Sequence, residues 1–215
     1  MTGNWYSRAT SHRPPELPVD SLPFSQACEN NKPYILDILR DVFADRTAVL
    51  EIGSGTGQHA CHFAGNLVHL AWQPTDIPEN LPVLSPRVRA YTGDNLLPPL
   101  ALDVRDNPWP VPVPDAVFTA NSLHIMAFEA VEQLFAGLAR GRPSDCVLAV
   151  YGPFNYGGRY TSDSNARFDQ WLAQQHPDSA IRDFEAVNAL AQEAGFALES
   201  DNAMPANNRL LVWRT

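Results

Sequence analysis

The sequence has one lysine, Lys32, and its 15 lysines and arginines are outnumbered by 24 aspartates and glutamates, a formal net charge of −9. Nucleic-acid binding draws on clustered cations to neutralise phosphates. No Lys/Arg-rich run occurs here, so nucleic acid is not the expected partner. Three cysteines, Cys28, Cys61 and Cys146, are an odd number at wide spacing, which suggests neither a disulfide framework nor a paired-cysteine zinc site. No stretch approaches the roughly eighteen apolar residues of a membrane span. The start, "MTGNWYSRATSHRPPELPVD", is polar and proline-bearing, without the apolar centre of a signal peptide. Together these absences predict a soluble, cytoplasmic protein with reduced thiols and no membrane contact. They also predict a flexible leader over 1–22 and one domain over 23–215, of unknown oligomeric state.

What is present is an alternation of short apolar runs with longer amphipathic ones. "NNKPYILDILRDVFA" reads as a helix with Pro33 in its first turn. The expected strands are "AVLEI", "HLAWQPT", "PPLALDV", "DAVFTAN", "CVLAVYG", "FALES" and "NRLLVWR". The expected helices occupy 57–65, 127–140, 163–175 and 183–194. Strands alternating with helices imply a single-domain α/β fold, a doubly wound, Rossmann-like, seven-stranded and mostly parallel sheet. The last two strands follow each other without a helix, so they should close the sheet as an antiparallel β-hairpin. Prolines crowd the leader and the stretches "PTDIPENLPVLSP" and "NPWPVPVPD", which read as stiffened loops.

The sharpest local signal is "AVLEIGSGTGQHACHF", with Gly53, Gly55 and Gly57 between the first strand and the first helix of the alternation. Open α/β sheets bind ligands at that carboxyl end, and glycines let a ligand approach the backbone. A phosphate-binding P-loop would need Lys-Ser/Thr after the last glycine, where Gln58-His59 stands. The G-x-G-x-x-G dinucleotide pattern counted from Gly53 fails at Gln58. A glutamate at position 51, at the strand end, would repel a pyrophosphate and attract a cationic or amine-bearing tail. His59, Cys61 and His62 lie close in sequence, but on a helix Cys61 projects away from the face shared by the two histidines, so no metal site is expected.

"EIGSGTG" resembles the first motif, E/D-x-G-x-G-x-G, of class I S-adenosylmethionine-dependent methyltransferases, whose sheet also ends in an antiparallel hairpin. With "FSQACENNKPYIL", "WQPTD", "DAVFTANSLHI", "YGPFN", "TSDSNARFD" and "MPANNRLLVWR", the chain is similar to the methyltransferase-like 26 family over residues 24–215. The resemblance implies S-adenosylmethionine as cofactor. It places Gly53, Ser54, Gly55 and Gly57 at the methionine end, with Glu51 holding the loop or the amino group. It gives Asp76, with Ile77, to the ribose hydroxyls, Asp103 and Val104 to the adenine, and Asn121 with Ser122 to the region beneath the methyl group. Asn30 and Lys32 would fold over the cofactor from the N-terminal side.

Methyl transfer from a sulfonium is an in-line displacement whose main demand is positioning, with a base needed where the acceptor arrives protonated. His124 in "NSLHI" is the candidate base, or orients the acceptor. Tyr151 and Asn155 in "YGPFN" are candidates for the same cleft. Asn207, at the final hairpin's turn, and Arg159, Asp163, Asn165 and Arg167, in the surplus helical segment, are candidate contacts to a polar small molecule, a carboxylate-bearing one included. The expected function is thus a small-molecule methyltransferase. A cofactor-binding module without turnover is the alternative, and a nicotinamide-dependent oxidoreductase, disfavoured by Gln58, a third.

Overall fold

The computed structural model describes residues 22–215, so the expected leader, but for Leu22, lies outside the described residues. The chain runs α1 (Gln26–Val42), β1 (Ala48–Ile52), α2 (Gln58–Asn66), β2 (Ala71–Asp76), α3 (Leu81–Ala90), β3 (Leu100–Ala101), β4 (Ala116–Ala120), α4 (Phe128–Gly141) and β5 (Val147–Gly152). It continues through β6 (Phe154–Asn155), α5 (Asp163–Gln175), β7 (Arg182–Asp183), α6 (Phe184–Glu193), β8 (Ala197–Met204) and β9 (Asn208–Arg214). Seven strands form one sheet in the order β3-β2-β1-β4-β5-β9-β8. Only β9 runs antiparallel to its neighbours, β5 and β8, which is the mostly parallel sheet with a closing hairpin that the alternation predicts.

Strand alternation divides the core into two layers. On one face Val49, Trp72, Phe118 and Ala149 pack against α1, α2 and α3. On the other Leu50, Ile52, Val117 and Leu148 pack against α4 and α6. Phe63, Trp72 and Phe118 form an aromatic knot with centroids 5.3–6.0 Å apart between α2 and the sheet.

Several elements differ from the sequence reading. The first helix opens earlier, with Ser25 accepting from the Cys28 N–H, so Pro33 lies inside α1 and not in its first turn. A proline in a helix interior costs about 3 kcal/mol through the lost hydrogen bond and the clash of its ring with the preceding turn. Pro33 is exposed, and the turn before it is fastened by tertiary bonds, the Ser25 N–H donating to Gln58 Oε1 at 2.6 Å. The proline-rich "PENLPVLSP" is not a loop but a 3₁₀ turn, Pro78–Asn80, running into α3. Pro82 falls in the first helical turn, where no N–H is missed, and Leu84 and Val88 fill the core. The hairpin strand expected to end at Ser200 continues to Met204 after a register shift between Leu198 and Ser200. β6 and β7 form a small parallel pair that short segments without alternation do not signal.

Gly137 of α4 makes room for Trp109, whose indole N–H donates to Val104 O at 3.1 Å and so fixes the segment after β3. A Cβ on Gly137 would stand 2.2 Å from Trp109 Cε2. Gly137→Val should therefore cost about 1–3 kcal/mol in urea unfolding and shift the indole fluorescence. An unchanged midpoint with an unchanged spectrum would contradict this packing.

Candidate functional site

Connections leave β1 toward β2 and β3 on one side and toward β4 and β5 on the other, so the crevice between β1 and β4 is the switch point where open α/β sheets hold ligands. Its floor is the glycine loop. A Cβ at Gly53 would lie 2.6 Å from Ser122 Oγ, and one at Gly57 would lie 2.9 Å from Leu84 Cδ1, so both glycines serve close packing. Gly55 differs. With φ +54°, it would meet nothing within 4 Å, and this bare backbone faces open space.

Asp76, closing β2, holds that loop. Its Oδ2 accepts from the Gly55 N–H at 2.7 Å, and its Oδ1 from the Ile77 N–H at 2.9 Å and Asn80 Nδ2 at 2.8 Å. A carboxylate has about four acceptor positions, so one remains for a ligand hydroxyl. Ile77 is exposed beside it. Ser54 is buried, donating its N–H to Thr75 O and accepting from the Thr75 N–H.

Glu51 does not front the bend as its position in sequence suggests. Alternation turns it to the face of Val49 and Trp72, where it is 2% exposed and accepts from Trp72 Nε1 at 2.8 Å. Burial pushes its carboxyl up to about 7, against the pull of the Trp72 and Ser54 side chains. It braces the loop from behind. The formal negative charge at the crevice is therefore supplied by Asp76 and Asp103. Asp103 is paired with Arg105, whose guanidinium holds its carboxyl below the ordinary value, so an adenine amino group would share that carboxylate with an arginine. Val104 is buried beside it.

The N-terminal side of the crevice is strapped by residues that the motif reading did not assign. Gln58, noted in sequence only as a missing glycine, accepts from the Ser25 N–H and Thr56 Oγ1 and donates to Glu29 Oε1 at 2.6 Å. Arg87 donates to Thr56 O at 2.8 Å and to Pro23 O at 2.6 Å. Of the two residues expected to lie over the cofactor, Asn30 is exposed and accepts from Gln26, and Lys32 pairs with Glu29 at 2.5 Å. The inward residue is their neighbour Asn31, buried and 2.7 Å from His59 Nε2. His59 is held down to about 4 by burial, aided by His62, and among the described residues no group of three or more His, Cys, Asp or Glu could hold a metal ion.

Next to this crevice lies a cleft of about 320 Å³. Asn121, Asn165, Ser164 and Asn208 supply its polar wall, and Phe168 and Pro153 contribute apolar surface. Asn121 has φ 57°, and its N–H donates to Tyr151 O at 2.8 Å. Ala206 and Asn207 in the β8–β9 turn each have φ 58°. These are the positive-φ non-glycine residues among the described residues, and all three border this cleft or the 150 Å³ recess that adjoins it through Asn208. Left-handed backbone costs Ala206 about 1–2 kcal/mol, whereas asparagine adopts it readily, which suits Asn121 and Asn207 to these positions.

The remaining candidates fall at different distances from this cleft. Ser122 donates to Ala120 O, and its hydroxyl faces Gly53. Tyr151 is buried with its hydroxyl beside the Asn31 and Asn208 side chains, and burial raises its pKa. His124 is buried edge-on against Phe168, centroids 5.4 Å apart, and burial, aided by Arg182, holds it down to about 4. Asn155 belongs to β6, with Nδ2 on Ile181 O and its own Oδ1 buried without a partner. Asn207 donates to Ser164 Oγ at 3.1 Å. Arg159 and Arg167 are exposed and line neither cavity. Arg159 closes a tight turn with Tyr156, and Arg167 is about 100° around α5 from Phe168.

Burial of Glu51 has a pH signature. Its carboxyl is raised above the ordinary 4.5, so the native state keeps a proton that the unfolded chain has lost between about 4.5 and 7. The contribution is complete below 4.5 and lost as pH rises through about 7. Glu51→Gln keeps an acceptor for Trp72 without that loss. Its unfolding free energy relative to the parent should rise by about 3 kcal/mol from acid to mildly alkaline pH in urea titrations. His59 and His124 act in the opposite sense but equally in both proteins. A difference that stays flat with pH would show that Glu51 is not buried as described.

The fold is similar to those of several solved structures. An O-methyltransferase family protein from Burkholderia thailandensis is 16% identical, aligning over 85% of this chain and 55% of that one with a TM-score of 0.73. An O-methyltransferase family 2 protein from Planctomyces limnophilus DSM 3776, in complex with apigenin, gives 16%, 88%, 58% and 0.75. PigF with SAH gives 18%, 85%, 55% and 0.71. At such identities the likeness is one of fold, and the chain spans about half the length of the structures it matches. The similarity to the methyltransferase-like 26 family rests on the sequence motifs alone. Residues 22–215 match the family described as "Protein of unknown function (DUF938)", and the chain belongs to that family.

Proposed function

We propose that the chain is an S-adenosylmethionine-dependent methyltransferase acting on a small polar molecule by in-line transfer. The observation that carries this reading is the bare Gly55 backbone at the β1/β4 switch point, tied to a carboxylate with one acceptor position left. Methyltransferases among the matched folds support it, one of them with SAH. The donor set suits hydroxyls and amines better than phosphates. Asp76 and Asp103 are anionic, and Arg87, the cation beside the loop, is spent on two carbonyls.

When bound, the cofactor supplies an electrophilic methyl group on a sulfonium. Gly53, Ser54, Gly55 and Gly57 would border its methionine end, Asp76 and Ile77 its ribose, and Asp103 and Val104 its adenine. Asn121 and Ser122 lie where that crevice meets the 320 Å³ cleft, which would hold the acceptor. His124, neutral at physiological pH, orients Phe168 against that cleft rather than storing a proton. No residue lining the cleft is titratable, so the chain contributes alignment of an acceptor lone pair.

Calorimetric titration of the whole chain with S-adenosylmethionine should show micromolar binding. Gly55→Ala places a methyl in the open space before the loop, at about 1–2 kcal/mol of left-handed strain, and should weaken binding at least about 100-fold, roughly 2.7 kcal/mol, while near-UV circular dichroism keeps its native form. A folded parent that binds no S-adenosylmethionine would overturn the proposal.

A further inference from the structure

Resting on the reading above, we infer that the acceptor is an uncharged, hydrogen-bond-donating molecule with a flat apolar face, and not a carboxylate or an ammonium. The 320 Å³ cleft has a polar wall with no formal charge, made of Asn121, Asn165, Ser164 and Asn208. The orientation of two of these amides is settled by their partners. Asn165 Nδ2 donates to Asn207 O at 3.2 Å and to Thr161 Oγ1 at 2.9 Å, and Asn208 Nδ2 donates to Pro205 O at 3.2 Å. A backbone carbonyl only accepts, so the amide nitrogens face those oxygens. With both of its amide protons committed, Asn165 has only its carbonyl oxygen left to offer. Asn121, turned by its left-handed backbone, is hydrogen-bonded through its side chain to no other described residue.

The Asn165 oxygen invites a ligand N–H or O–H and the free Asn121 amide both donates and accepts, so a neutral ligand that does both is matched without a counter-ion. Asp163 and Arg167 of α5 are exposed to solvent, and the charges near the cleft that are not exposed are already matched. Arg209, in the adjoining recess, pairs with Asp201 at 2.7 Å. Arg182 donates to the carbonyls of Leu123, Met126 and Asp178, and Asp169 accepts from the Tyr160 hydroxyl and the Ile181 N–H. A charged ligand would lose its hydration without gaining a counter-ion, a cost that mounts quickly in a half-enclosed site. Phe168 lines the cleft and stacks on Trp171 with planes 14° apart, a ladder against which a flat ring can lie.

Benzamide, benzoate and benzylamine share one ring and differ in charge, so the three serve as probes. Their binding to the whole chain is measured by ligand-detected NMR with S-adenosylhomocysteine present, alongside calorimetry with S-adenosylmethionine on the same preparation. Benzamide should bind at least about tenfold more tightly than either ion. Phe168→Ala should weaken it, and so should Asn121→Gly, which removes the amide while glycine keeps the left-handed backbone. Benzoate or benzylamine binding as tightly as benzamide, or no binding of benzamide, overturns the inference even where S-adenosylmethionine binds. Absence of S-adenosylmethionine binding overturns the underlying function instead.

Discussion

One hydrogen bond organises the site: the Gly55 N–H to the Asp76 carboxylate at 2.7 Å, joining the ends of β1 and β2. A charge-assisted bond from backbone is stronger than a neutral one, and here it fixes a loop that has little side chain to fix it otherwise. Around it the molecule is built to keep that loop still. Glu51 and Trp72 brace it from the core, Thr75 holds Ser54, and Gln58 and Arg87 fasten it to the start of α1. The result is a rigid bare surface at the point where the sheet reverses direction. Preorganisation of this kind lowers the ordering cost of a ligand that must be aligned to react.

Much of the frame was legible in the sequence because its signals are local. The runs "AVLEI" and "CVLAVYG" are strands between glycines and helices, and the missing helix before "NRLLVWR" marks the antiparallel end. The glycine spacing placed the loop. What sequence could not show was direction. Glu51 looks like a charge at the mouth of a site, yet alternation turns it into the core. Asn30 and Lys32 were natural candidates for covering the crevice, while Asn31 makes the inward contact, because it lies four residues before Ile35 on the buried stripe of α1 and its two neighbours are turned about 100° to either side. The prolines of "PENLPVLSP" suggested a loop because helix-breaking chemistry depends on position: Pro82 falls in the first turn of α3, where a proline costs nothing, and only Pro86 lies inside the helix.

The cleft beside the crevice was less legible still, since it is assembled from five separated segments. Only the fold brings Ala27, Asn121, Pro153, Asn165 and Asn208 together. Two arginines suggested a carboxylate partner from sequence, but Arg159 and Arg167 point their charge to solvent. Left-handed backbone at Asn121, Ala206 and Asn207, visible only in three dimensions, marks the cleft more clearly than any motif.

The crevice and its bracing rest on a preference for a nucleoside with hydroxyls over one with phosphates at Gly55. The most direct measurement follows the backbone amide resonance of Gly55 during separate NMR titrations with S-adenosylhomocysteine and ADP. A saturable shift with S-adenosylhomocysteine, and none with ADP at the same concentrations, is the predicted result. Saturation by ADP alone would contradict it.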